Sequence, residues 1–260
     1  MKIISFSDYH GAYEGLEDFE RVIREESPDL LLFIGDILKF GPRALEFASA
    51  REEKRVPDRD RAEVVADVAT AAEEYRRFFE FLGGLDRFVA VIPGNLDAPR
   101  RQFMRAATEF EGEYNNLRVL HRLWAQVGDV AIAGFGGEIS ENVNEDYFMD
   151  IYPREAVLYC FKEMGYVDAP HKLFMIHTPP VARFGAVETH KLGSRIVNQV
   201  IERYGPELVL VAHDHKAKGQ TNVGEAVVVN AGPFNEGNYA VIERLRPETT
   251  VSFRNLKRDR

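Results

Sequence analysis

Asp29-Leu30-Leu31-Leu32-Phe33-Ile34-Gly35-Asp36 is an unbroken apolar run that ends in a glycine and a carboxylate. A run of strand length with no polar alternation reads as a strand covered on both faces, as in the parallel sheets of α/β proteins. The residue just past such a strand lies at the rim of the sheet, which makes Asp36 a rim carboxylate. The same arrangement recurs along the chain. Residues 2–7 read as a first strand followed by Asp8-Tyr9-His10-Gly11, and residues 87–92 as a third followed by Pro93-Gly94-Asn95-Leu96-Asp97. Residues 172–176 run into His177-Thr178-Pro179-Pro180, whose prolines force an abrupt exit, and residues 207–211 run into Ala212-His213-Asp214-His215. Side chains two positions apart on extended backbone point the same way, so Asp8 can converge with His10, and His213 with His215.

Between these strands the period changes. Leu16, Phe19, Val22 and Ile23 recur at helical spacing until Ser27-Pro28. From Phe40 to Gly84 simple alternation stops: residues 44–55 read as one helix, Val56-Pro57-Asp58 breaks it, and residues 60–82 carry Val64, Val68, Ala71, Tyr75, Phe78 and Leu82 on one stripe. This excursion, residues 42–84, is read as solvated helices packing one face on the sheet; the other reading is a lid or a homodimer contact. Asp97 reads as the N-cap of the next helix, with Pro99 in its first turn. Residues 117–120 and 127–134 read as strands, 138–150 as an acidic loop, 153–164 as a helix and 181–192 as a loop containing His190. A helix begins at Ser194, and residues 226–229, 239–242 and 251–253 read as antiparallel hairpins. Gly134-Phe135-Gly136-Gly137 lacks the strand-to-helix setting of a dinucleotide fingerprint and is read as a tight turn. The expected architecture is α/β: a two-sheet mixed β-sandwich flanked by helices, spanning residues 1–260 as one domain.

Composition bounds the function. At 260 residues, 45% hydrophobic and 29% charged, the chain belongs with soluble globular proteins. Its N-terminal apolar run is too short for a signal peptide, and no run approaches the roughly 18 apolar residues of a membrane span, so a cytoplasmic protein with no membrane partner is expected. The net charge of −9 disfavours broad nucleic-acid binding, which needs clustered Lys and Arg, but leaves room for a small phosphate-bearing substrate beside bound cations. The single cysteine, Cys160, excludes an internal disulfide and a Cys-rich zinc site, and reads as a core residue.

The strand-end residues are Asp8, His10, Asp36, Asn95, His177, His213 and His215. Any one of them has a bland explanation as a cap, a turn residue or a satisfied histidine. Seven of them, each following an apolar strand, fit one rim, and their mixture of imidazole with carboxylate and amide oxygen suits a dinuclear hydrolytic centre. The order Asp8-x-His10, Gly35-Asp36, Gly94-Asn95, His177 and His213-x-His215 resembles the calcineurin-like metallophosphoesterase superfamily, over nearly the whole chain and most closely its small prokaryotic phosphoesterases.

The resemblance implies two divalent cations about 3.5 to 4 Å apart, Mn first and Fe, Ni, Co or Zn as alternatives. Asp8, His10, Asp36 and His215 would hold one, and Asp36, Asn95, His177 and His213 the other. A hydroxide bridging them would attack phosphorus in small phosphodiesters or nucleotides. Two positions depart from the family pattern: Leu96 stands where many members have the histidine that protonates the leaving oxygen, and Ala212 where they have glycine. That points to a good leaving group, aryl or pyrophosphate, or to another proton donor, for which His190 is the candidate catalytic residue. Arg100 and Arg101 are read as solvated residues at a helix start, with a substrate phosphate as the alternative partner. The alternative to an enzyme is a catalytically weak or inactive metal-binding scaffold of the same fold.

Overall fold

The computed structural model of the chain describes residues 1–243, 245 and 249–258; the final two residues of the expected domain lie outside the described residues. In chain order the elements are β1 (Lys2–Phe6), α1 (Leu16–Glu26), β2 (Leu30–Phe33), α2 (Pro42–Glu52), α3 (Ala62–Gly83), β3 (Phe88–Val91), α4 (Arg100–Glu113) and β4 (Leu117–Val119). Next come β5 (Leu123–Val127), β6 (Val130–Phe135), β7 (Glu138–Ser140), β8 (Ile151–Pro153), α5 (Arg154–Phe161), β9 (His171–Ile176), β10 (Arg183–Phe184) and β11 (Val187–Glu188). The chain continues through α6 (Arg195–Tyr204), β12 (Leu208–Val211), β13 (Gly219–Val223), β14 (Ala226–Asn230), β15 (Asn238–Glu243) and β16 (Thr250–Asn255).

Two six-stranded sheets, β16-β15-β1-β2-β3-β4 and β13-β14-β12-β9-β6-β5, face each other with helices outside, the expected mixed α/β sandwich. Alternation on β2 shows why its run is continuously apolar. Leu30, Leu32 and Ile34 pack between the sheets against Val130, Ile132, Leu173, Met175 and Leu210. Leu31 and Phe33 face outward, under α1 and α3, with Phe6, Phe19, Phe78 and Phe79. Each such fully buried side chain contributes about 1.5–3 kcal/mol by leaving water.

Register then decides where the strand ends fall. Parallel pairing sets Phe6 beside Phe33 and Phe33 beside Val91 in the first sheet, and Val211 beside Ile176 in the second. Because the last residues of these strands are aligned, the segments that follow them emerge at one end of the sandwich.

The excursion packs in two places. Tyr75, Phe78, Phe79 and Leu82 of α3 join the outer core of the first sheet. Ala44 and Phe47 of α2 join Val64, Leu96, Phe148, Met149 and Ile151 in a separate apolar cluster. The acidic loop is more ordered than its composition suggests. It holds β7, and Glu145 Oε1 accepts the backbone N–H groups of Asp146, Tyr147 and Phe148. Strand β5 escapes a hydrophobicity reading because it is an edge strand with Leu123 and Trp124 largely exposed.

Candidate metal centre

The turns at the strand ends are unusual in their backbone. Among the described residues, seven non-glycine residues have positive φ, and four of them are Asp8 (53°), His10 (48°), Asp36 (64°) and His213 (69°). Such conformations cost about 1–3 kcal/mol each and collect at functional sites, where the surroundings hold them in place. The convergence of Asp8 with His10 therefore comes from left-handed turns, correcting the expectation of simple extended backbone. The turns hold one another: Asp8 N–H donates to Gly35 O at 2.8 Å, and His10 N–H to Asp36 O at 3.1 Å.

Two glycines let the turns approach. A Cβ on Gly35, whose φ is +97°, would lie 2.6 Å from Gly94 N; a Cβ on Gly94 would lie 2.1 Å from Asp36 Oδ1. The contact is closed by Asp97, which is fully buried and does not cap a helix; Pro99 occupies the N-cap position of α4. Its carboxylate accepts the N–H groups of Gly94 (2.7 Å), Ile37 (2.9 Å), Asp36 (3.0 Å) and Leu38 (3.2 Å). Leu96 contributes through its backbone, donating to Asp36 Oδ1 at 2.8 Å, while its carbonyl accepts from the buried Arg43 Nη2 at 2.8 Å. Asp97 and Arg43 are site-building residues that sequence reasoning missed. The only available signal was that Asp97 lies two residues past Asn95.

All seven strand-end side chains meet at this rim. Donor atoms of Asp8, His10 and His215 lie within 4.8 Å of one another, as do those of Asp8, Asp36 and His177. Asn95 Oδ1 is 3.0 Å from His177 Nε2 and 2.9 Å from His213 Nδ1. His10 Nδ1 sits 2.8 Å from Leu38 O, and His177 Nδ1 sits 2.7 Å from Ile34 O. A carbonyl can only accept, so Nδ1 carries the proton in both rings and Nε2 is aimed inward. His10 Nε2 faces His215 Nε2 at 3.3 Å.

The donors fit cations. Asp8 Oδ1 is buried and makes no geometrically good hydrogen bond; its neighbour is His215 Nε2, 3.3 Å away, whose pKa the carboxylate raises. A buried carboxylate is costly unless positive charge stands beside it. Burial and neighbouring charge shift the titration of the rim residues. Burial opposes the His177 imidazolium, yet the Asp36 carboxylate beside it raises its pKa to about 9. Burial likewise opposes the Asp36 carboxylate, but His177 holds its pKa below the usual range. His213, buried and next to His177, is pushed down to about 4.

His10, Asp36, Asn95, His213 and His215 line a cavity of about 550 Å³, completed by Lys39, Phe40, Leu96 and Asn235. His190 is not part of this wall. Thr189 Oγ1 bonds to Pro180 O and Ala182, folding the loop back on itself, and exposed His190 Nε2 sits 2.9 Å from Glu188 Oε2. Arg100 is also turned away from the rim: it pairs with the buried Asp150 at 2.6 Å and stacks on Tyr152 at 4.0 Å. Cys160 is half-buried, and burial pushes its thiol up to about 12.

The remaining histidines are structural. His171 pairs with Glu207 at 2.8 Å. His121 is buried, accepting from Gly136 N–H at 3.0 Å and bonding Tyr152 Oη at 2.9 Å. Burial pushes its pKa down to about 3. The unfolded chain then takes up the proton first, so the His121 contribution to stability is complete above about pH 6.5 and is lost as pH falls towards 3. Urea denaturation between pH 6.5 and 4 should show the native protein losing stability faster than a His121→Gln variant, by up to about 1.4 kcal/mol per pH unit. Parallel curves would refute this assignment.

The comparisons with known proteins agree with this geometry. The family described as metallophosphoesterase, calcineurin superfamily, matches residues 1–254. A solved structure 31% identical to this chain, covering 98% of both chains, superposes with a TM-score of 0.89. A protein of Thermus thermophilus, TT1561, is 25% identical over 98% of both chains, with a TM-score of 0.77. A novel phosphatase from Mycoplasma pneumoniae shares the fold at 9% identity and TM-score 0.51, over 98% of this chain and 93% of that one. No curated protein matches the chain. With the family pattern running through both sheets and its characteristic strand ends gathered at one rim, this chain belongs to the calcineurin-like metallophosphoesterase superfamily.

Proposed function

We propose that the chain is a divalent-metal-dependent phosphoesterase that hydrolyses small phosphodiesters or nucleotides. The observation that carries this reading is the convergence of seven donor side chains at one rim, five of them in the wall of one cavity, with Asp8 and Asp36 buried among four of the histidines. Asp8, His10, Asp36 and His215 would hold one cation, and Asp36, Asn95, His177 and His213 a second. When bound, the cations act as Lewis acids on water and on the phosphoryl oxygens. His10 and His177 are pre-oriented for that task by the Leu38 and Ile34 carbonyls. Lys39 and Asn235, in the cavity wall, offer an ammonium and an amide to a phosphate. Leu96 keeps its part of the wall apolar, which suits a leaving group that departs without protonation; general acid catalysis is otherwise worth about 10²- to 10⁴-fold.

Purified protein supplied with Mn is expected to cleave bis-p-nitrophenyl phosphate and to stop on chelation with EDTA. Silence with Mn, Fe, Ni, Co and Zn alike would end this reading. A metal-binding scaffold is the second reading, favoured by the burial of Leu96 in an apolar cluster where a proton donor would otherwise stand. Stoichiometric bound metal without phosphate release from a panel of monoesters, diesters and nucleotides would select it.

A further inference from the structure

A second cavity, about 450 Å³, opens beside the metal cavity and shares Phe40 with it. Phe40 stands four positions after Asp36, and its side chain is 56% exposed, an isolated aromatic surface next to the proposed chemistry. The second cavity is also lined by Phe47, Met149 and Ile151, and by Arg51 and Glu138 at its polar edge. Exposed Arg51 lies 5.7 Å above the ring of the buried Phe47, so its guanidinium, with the exposed Phe40 ring, forms the accessible wall. Leu96 connects the two spaces. It lines the metal cavity and packs in the cluster of Phe47, Met149 and Ile151 that floors the second. The wall between the two cavities is therefore apolar at Leu96, as it is at Phe40.

We infer that this second cavity is the subsite for the leaving group of the substrate, and that the group is planar and aromatic. The inference rests on the metal-centre reading above, since the cations would anchor the phosphoryl group from which the substituent extends. An exposed ring and a guanidinium favour a flat π-system, whose heteroatoms the Arg51 and Glu138 edge can hydrogen-bond. Such a pocket, mostly apolar with few polar groups, is of ordinary size for a small ligand. An aryl ring and a nucleobase share this chemistry.

The test is calorimetric binding to the Mn-loaded protein of benzylphosphonate, a nucleoside 5′-methylenephosphonate and methylphosphonate, which present the same head group. The aromatic probes should bind at least about tenfold more tightly than methylphosphonate. Phe40→Ala, which removes an exposed ring, and Ala48→Phe, which fills the cavity from its exposed wall, should each erase most of that difference. Whichever aromatic probe binds more tightly identifies the source of the ring. Equal affinity for all three probes, or a preference that survives both variants, overturns the subsite and leaves the metal reading standing. Failure of every probe to bind the Mn-loaded protein overturns the phosphoesterase reading, and the subsite with it.

Discussion

Asp36→Asn is expected to lower phosphoesterase turnover by more than about 100-fold and to release bound metal, because even the outer partners of metal ligands are worth about 10- to 100-fold. Both oxygens of the buried Asp36 carboxylate have a neighbour at the rim. One oxygen accepts Leu96 N–H at 2.8 Å, and the other lies 3.6 Å from His177 Nε2. The amide keeps the volume but removes the charge that raises the His177 pKa and that would attract the proposed cations. Metal content by elemental analysis and kcat on an activated diester should fall together. Circular dichroism should remain native, because the isosteric amide leaves the surrounding packing in place. A variant that keeps both full activity and full metal would show that Asp36 is not the shared ligand.

Asp97→Ala should be the most destabilising single change near the rim, by about 3 to 5 kcal/mol in urea denaturation, the upper range for point substitutions. The side chain touches no proposed cation. It satisfies four buried backbone N–H groups, three following the β2 strand and one following β3. An unsatisfied buried donor costs about 1–3 kcal/mol, and a water entering the vacated space can recover only part of that. The loss should also reach the site. With the two turns untied, Asp36 loses the frame that holds it in a left-handed conformation, so metal affinity should fall even where the variant remains folded. Asp97→Asn, which keeps one acceptor oxygen but aims an amide donor at N–H groups, should fall between the native protein and Asp97→Ala. A cost below about 1 kcal/mol for Asp97→Ala would mean that solvent replaces the carboxylate.

These residues mark the limit of what a linear reading can recover. Asp97 followed by Pro99 has the appearance of a helix start, and local propensity supports no other role. Its actual partners at positions 36–38 lie about sixty residues away, brought close by the pairing of β2 with β3. Arg100 reads as a solvated first-turn residue because its partner, Asp150, lies 50 residues away in sequence. His190 follows the His177 strand in the chain, but the hydrogen bonds of Thr189 turn its loop away from the rim wall. Nothing in the order of residues reveals that Asp8, His10, Asp36 and His213 take positive φ, since none is a glycine.

The amino-acid order alone determined the layered α/β plan and the identity of the rim residues, for one physical reason. A strand buried on both faces must be apolar throughout, so a charged or amide residue at its end stands out against it. What only the tertiary structure decided is how those ends become a site. Parallel register aligns them, Gly35 and Gly94 allow two turns to touch, and Asp97 ties the turns together. Leu96 packs in the apolar cluster of Phe47, Met149 and Ile151 while it lines the cavity at the rim. Each of these depends on contacts between segments far apart in the chain, and such contacts exist only once the two sheets have packed.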